Sequence, residues 1–130
     1  MPSKNITDIE FGDRLTPRYN SDGLITAIVT DSGNNEVLMV AHMNAEALEK
    51  TLETQQSHFW SRSRKELWHK GATSGDIQFV EEIRVDCDQD AVVLKVRMAG
   101  NSACHTGKRA CFYRRIENEN GQFKLVMDES

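Results

Sequence analysis

Three stretches of the chain carry residue types suited to chemistry. Asp86-Cys87-Asp88-Gln89-Asp90 sets carboxylates at i, i+2 and i+4 around a single thiol. Read as an extended strand, the segment sends Asp86 and Asp88 to one face and Cys87 to the other, because successive side chains alternate. The aspartates are hard oxygen ligands suited to Mg²⁺ or Ca²⁺, whereas a thiolate suits a softer ion such as Zn²⁺. An EF-hand loop is excluded: its sixth position would be Ala91 instead of Gly, and its twelfth Arg97 instead of Glu. An acidic turn on a solvated hairpin is the plainer alternative.

The cysteines are Cys87, Cys104 and Cys111, and the C-x2-C knuckle of structural zinc sites is absent. Their odd number excludes a closed intrachain disulfide framework. Three thiolates would leave one position of a tetrahedral Zn²⁺ open, as in catalytic zinc. His105 beside Cys104 is a candidate proton-transfer group. The run Cys104-His105-Thr106-Gly107-Lys108-Arg109-Ala110-Cys111 is basic, which favours thiolates. Buried structural thiols are the competing explanation.

The third stretch is Trp60-Ser61-Arg62-Ser63-Arg64-Lys65, followed by Trp68-His69-Lys70-Gly71-Ala72-Thr73-Ser74-Gly75. Guanidinium forks, hydroxyls and glycine amides are the groups that hold phosphate. The indoles could stack on a base or pack in the core. The order of a Walker A loop is absent.

These residues need elements to position them. Residues 1–22 hold Pro2 and Pro17 without periodicity and read as an irregular N-terminal arm. Residues 24–30 and 36–43 suit strands, and Asp31-Ser32-Gly33-Asn34-Asn35 between them signals a turn, so a hairpin is expected. Asn44 is a candidate N-cap for a helix over 45–55. Residues 58–61 read as a short strand and 62–75 as a functional loop with one helical turn near 66–69. Residues 77–88 and 91–98 predict a second hairpin, 100–109 a loop, 111–117 a strand, and 118–130 a turn and last strand of the same domain. The expected fold class is α+β, mostly antiparallel β with one main helix.

Composition bounds the rest. A length of 130 residues is that of one ordinary domain, able to bury roughly two thirds of the surface of its unfolded chain. An apolar fraction of 38% and a mean hydropathy of -0.56 describe a soluble protein. No window approaches the roughly 20 apolar residues of a membrane span, and the N-terminus lacks the apolar stretch of a secretory signal, so a cytoplasmic protein is expected. A net charge of -4 and a pI near 5.5 argue against a general nucleic-acid binder. The charge is uneven, however. Arg62, Arg64, Lys65 and Lys70 against Glu66 leave +3 over 58–71. Lys95, Arg97, Lys108, Arg109, Arg114 and Arg115 with no acid leave +6 over 91–116. Such segments fit a basic pocket for a small phosphorylated ligand.

Taken together, Trp60 to Arg64, Leu67 to Gly75, Asp86 to Asp90 and Cys104 to Arg114 resemble, in order, the phosphoribosyl-AMP cyclohydrolases of histidine biosynthesis. Met39-Val40-Ala41-His42-Met43-Asn44 fits as well, and the likeness covers about residues 23–116. The resemblance implies a catalytic domain over 23–117 that opens the adenine ring of phosphoribosyl-AMP at N1–C6, with a zinc-bound hydroxide as nucleophile. It also implies an intertwined homodimer with Zn²⁺ and Mg²⁺ as cofactors. By position, Cys87 of one chain would join Cys104 and Cys111 of the other at zinc, Asp86, Asp88 and Asp90 would hold magnesium, and His105 would move a proton. Trp60, Ser61, Arg62, Ser63, Arg64, Lys70, Gly71, Thr73 and Ser74 would bind substrate. His42, His69 and Asp76 depart from the family pattern, where an aromatic residue, Arg, and His or Asn are usual. A zinc nucleotide deaminase is the first alternative, but its H-x-E and P-C-x-x-C signatures are absent. A noncatalytic zinc-stabilised nucleotide-binding dimer is the second. Some relatives carry a second hydrolase; residues 118–130 are too few for one, so a single reaction step is expected.

Overall fold

Runs rich in β-branched and other apolar residues form the strands of the core sheet. In the computed structural model, which describes residues 6–128, the elements are α1 (Ile6–Phe11), β1 (Ile25–Asp31), β2 (Val37–Met43), α2 (Ala45–Thr54), β3 (His58–Ser61), β4 (Glu66–His69), β5 (Gln78–Val85), β6 (Ala91–Met98), β7 (Arg114–Glu119) and β8 (Gln122–Met127). The ends of the expected arm and last strand, at 1–5 and 129–130, lie outside the described residues. Mostly strands with two helices, the chain is α+β as its sequence predicts.

The main sheet has the order β2-β1-β6-β5. Both expected hairpins form, β1 with β2 and β5 with β6. They join through β1 and β6, which run parallel, so the sheet is not purely antiparallel. Ala27 lies beside Val92 and Val29 beside Leu94, and all four are buried. A parallel pair needs a crossover, here supplied by α2 and the β3–β4 hairpin. Burial of an aliphatic or aromatic side chain such as Leu38, Leu94 or Phe59 contributes roughly 1.5–3 kcal/mol.

The helix begins where Asn44 caps it, its Oδ1 accepting the Ala47 N–H at 2.8 Å. It ends at Gln55 in the left-handed conformation. Buried Thr51 fastens the helix to β3: its hydroxyl donates to the Ala47 carbonyl at 2.8 Å and accepts the His58 N–H at 3.0 Å.

Four local expectations are corrected. The arm contains α1, whose Ile9 is buried. Residues 66–69 form β4, not a helical turn, because Phe59 opposite Trp68 and His58 opposite His69 reward cross-strand pairing. Residues 86–90 form the turn between β5 and β6, so strand alternation does not govern Asp86, Cys87 and Asp88. Finally, β7 starts at Arg114; Cys111 instead donates its N–H to the Leu38 carbonyl at 2.7 Å. The β7–β8 hairpin pairs on itself, leaving Ile116, Phe123, Leu125 and Met127 exposed.

Candidate active site

The loop after β6 brings two cysteines together. The Ser102 hydroxyl lies 2.7 Å from the Cys104 carbonyl and 2.8 Å from that of Lys108. The Ala103 N–H reaches the Arg109 carbonyl at 2.9 Å, and Gly107 in a left-handed conformation closes the turn. Arg109 then ties the loop to the β1–β2 turn through Asp31 and Glu36, the latter at 2.7 Å. Cys104 is buried and its sulfur accepts the Thr106 hydroxyl at 3.1 Å.

The two thiols diverge. Burial alone would raise Cys104, but the Thr106 hydroxyl and amide, the Cys111 thiol and the Lys70 charge bring it below its ordinary value. Burial, and then the Cys104 sulfur, push Cys111 up to about 11. Two sulfurs brought together in this way, one of them favoured toward the thiolate, are a donor set matched to a thiophilic cation. Lys70 stands beside this pair, buried, with its ammonium 5.6 Å from the Trp68 ring. His105 is exposed next to Cys104.

Cys87 is elsewhere. It is exposed on the β5–β6 turn, in an open cleft against the N-terminal arm. Among the described residues, the grouping of three or more potential metal ligands consists of Asp86, Asp88 and Asp90, with oxygens within 4.8 Å of one another. Burial would raise Asp86, yet hydrogen bonds from Asp90 and the Ala91 amide hold it below its ordinary value. Hydrogen bonding to Asp86 and then Asp88 pushes Asp90 up to about 6. Crowded carboxylates that retain a proton near pH 6 are the donor chemistry a hard divalent cation relieves.

The basic stretch divides. Arg62, Ser63 and Arg64 sit exposed at the tip of the β3–β4 hairpin, with Trp60 and Ser61 half-buried behind them. Burial, and then the Arg62 charge at the tip, hold His42 of β2 below its ordinary value. Thr73 and Ser74 are exposed on the following loop. Gly71 is buried with φ of 86°, and a Cβ there would lie 2.3 Å from the Asp76 and Ile77 backbone. Close backbone approach therefore requires glycine. A Cβ on Gly100 would strike the Asp76 carboxylate, so that departure from the family pattern lies against residue 100.

Sequence reasoning passed over three polar residues. Thr106 supports a sulfur, Gln56 bonds two histidines, and Gln89 is buried within the acidic turn. Only Gln89 carried a signal: a long side chain where a tight turn ordinarily takes Gly or Asn.

The chain matches the family model "Phosphoribosyl-AMP cyclohydrolase" over residues 39–113. It is 57% identical over 129 residues to the phosphoribosyl-AMP cyclohydrolase of Sinorhizobium medicae, covering 98% of this chain and 85% of that one. To the protein of that name from Chelativorans sp. it is 60% identical over 122 residues, covering 93% and 88%. For Rhizobium rhizogenes the figures are 57% over 130 residues, 98% and 87%. With its paired sulfurs, clustered aspartates and basic hairpin tip, the chain belongs to the phosphoribosyl-AMP cyclohydrolases, a family of enzymes.

Proposed function

We propose that this enzyme hydrolyses the N1–C6 bond of the adenine ring of phosphoribosyl-AMP, a step of histidine biosynthesis, in the cytoplasm and as a homodimer. The observation that carries the reading is the Cys104–Cys111 pair, two sulfurs brought together beside the buried Lys70. Cys104, Cys111 and Cys87 of the partner subunit would hold zinc, and Asp86, Asp88 and Asp90 would hold magnesium. Zinc so bound would lower the pKa of a water ligand towards about 7 and supply hydroxide at neutral pH.

The residues of the chain would do the remainder. Ribosylation at N1 leaves C6 electron-poor, so the oxygen of water adds there, the 6-amino group stays as the amide nitrogen, and N1 departs with the proton. His105 would carry that proton from water to N1. Arg62, Ser63 and Arg64, exposed on the hairpin tip, and Thr73 and Ser74, exposed on the next loop, would hold phosphate, with Trp60, Ser61 and Gly71 shaping the wall. Lys70, buried beside the sulfurs, would act on thiolate charge in addition to substrate.

Two further observations support a second copy as partner. Cys87 is exposed, away from the sulfur pair of its own chain. The β7–β8 hairpin begins three residues after Cys111 and presents Ile116, Phe123, Leu125 and Met127 to solvent. A two-stranded hairpin is marginally stable alone, and this one follows the basic 104–115 stretch, which complements the acidic 86–90 turn of a second chain.

The test is an absorbance assay of purified protein with phosphoribosyl-AMP, together with metal analysis. Ring opening, and loss of both zinc and nearly all turnover in Cys104→Ser, are the expected results. Full activity in Cys104→Ser overturns the mechanism, and ammonia release would make the protein a deaminase.

A further inference from the structure

Gln89 holds two parts of the molecule at once. It is 5% exposed and sits in the left-handed region at φ of 59°, where a residue with a Cβ is strained unless its surroundings hold it there. Here the holding contacts come from the N-terminal arm. The Gln89 Nε2 donates to the carbonyls of Ile9 at 3.1 Å and Arg14 at 3.3 Å, and its Oε1 accepts the Thr16 N–H at 2.8 Å. Its backbone carbonyl accepts the Arg18 N–H at 2.7 Å. One residue therefore satisfies four backbone groups of the arm. On its other side the Gln89 N–H donates to the Asp86 carbonyl at 3.1 Å. The Asp86 Oδ1 in turn accepts the N–H groups of Asp90 at 3.0 Å and Ala91 at 3.1 Å.

The helix of the arm contributes little order of its own. Helix α1 is six residues long, well below the length at which a helix stands alone in water. Its buried apolar residue is Ile9, whose carbonyl Gln89 holds. Arm and turn together wall an open cleft lined by Glu10, Arg14, Asp86 and Cys87, among others.

We propose that Gln89 is a positioning residue, latching the N-terminal arm onto the 86–90 turn and thereby keeping Asp86, Asp88 and Asp90 converged for a divalent cation. The cation half of this rests on the magnesium reading above; the coupling of arm to turn does not.

Hydrogen–deuterium exchange on the full chain, as purified, reads both halves. Gln89→Gly accommodates the left-handed backbone without strain and removes the side-chain latch but adds backbone freedom, so only loosening shared with Gln89→Leu is read as coming through the arm. Gln89→Leu keeps the bulk and removes the hydrogen bonds. In both variants, exchange is expected to accelerate over residues 9–18 and also over 86–91, while exchange in β1 and β6 stays as in the parent. Calorimetric titration with Mg²⁺ alone is expected to show an affinity about tenfold lower, as for loss of an outer-sphere support. An arm that exchanges freely while the turn and the Mg²⁺ affinity stay unchanged would overturn the proposal, as would an arm that remains protected. A parent protein that binds no Mg²⁺, with arm and turn still loosening together in both variants, would overturn the magnesium reading and leave the latch standing.

Discussion

The imidazoles of His58 and His69 lie face to face across β3 and β4, centroids 4.4 Å apart and planes 7° from parallel. Gln56 fixes both rings: its side-chain oxygen lies 2.7 Å from His69 Nε2 and its carbonyl 2.8 Å from His58 Nδ1. Burial, and then the neighbouring His58, hold His69 below its ordinary value of 6.5. A neutral His69 is thus favoured in the folded chain, at the foot of the hairpin whose tip carries Arg62 and Arg64.

A stability profile follows from that sign. The unfolded chain protonates His69 at its ordinary value, whereas the folded chain does so only at lower pH. The contribution is fully present above about pH 6.5 and is lost as pH falls through the folded value. Thermal melting between pH 7.5 and 5 should show a decline that is shallower in His69→Gln than in the parent. Equal slopes would remove the histidine pair as its source.

Gly71 and Gly75 both have positive φ, but only Gly71 has backbone within reach of a Cβ. Gly75→Ala should cost about 1 kcal/mol, the conformational term alone. Gly71→Ala should cost roughly 2–4 kcal/mol, since the Asp76 and Ile77 backbone must also move. Urea unfolding of the two variants gives the comparison.

Arg109 reaches Asp31 and Glu36 from a half-exposed position. Solvent screening limits such pairs, so Arg109→Ala should cost about 0.5–1 kcal/mol. Lysine should not restore it, because one ammonium cannot reproduce a guanidinium spanning two carboxylates. Denaturation at low and high salt should show the difference shrinking as salt rises.

Thr106 donates to the Cys104 sulfur, so Thr106→Val removes a hydrogen bond that favours the thiolate. Zinc affinity should fall by about 10- to 100-fold, the range for loss of an outer-sphere partner. Competition with a chromogenic chelator measures it, and unchanged affinity would detach Thr106 from the proposed zinc site.

Ile116 and Leu125 face each other on the exposed side of the β7–β8 hairpin. Ile116→Glu with Leu125→Lys should leave the main sheet folded and shift sedimentation from dimer to monomer, with zinc lost in parallel. A zinc-loaded, active monomer would end the shared-site reading.

Local signals made much of this legible in the chain itself. Asn44 announces α2, Asp31 to Asn35 announces the first hairpin turn, and the strand-forming residues of 24–30 and 36–43 announce its strands, because capping, turn chemistry and strand preference act over a few residues. The ordered motifs around Arg62, Asp86 and Cys104 identified the family for the same reason: they are contiguous. Contacts between distant residues were decided only in three dimensions. The parallel pairing of β1 with β6 is set by which apolar faces can share one core, and no local pattern specifies strand direction. A hairpin turn near 89 is expected from the chain, but the left-handed Gln89 and its bonds to Ile9, Arg14, Thr16 and Arg18 join residues far apart in sequence. Lys70 reads as one cation among several in a basic loop, but folding buries it against two sulfurs 34 and 41 positions later. Its role changes because electrostatics depends on distance in space and on the surrounding dielectric, and neither is written along the chain.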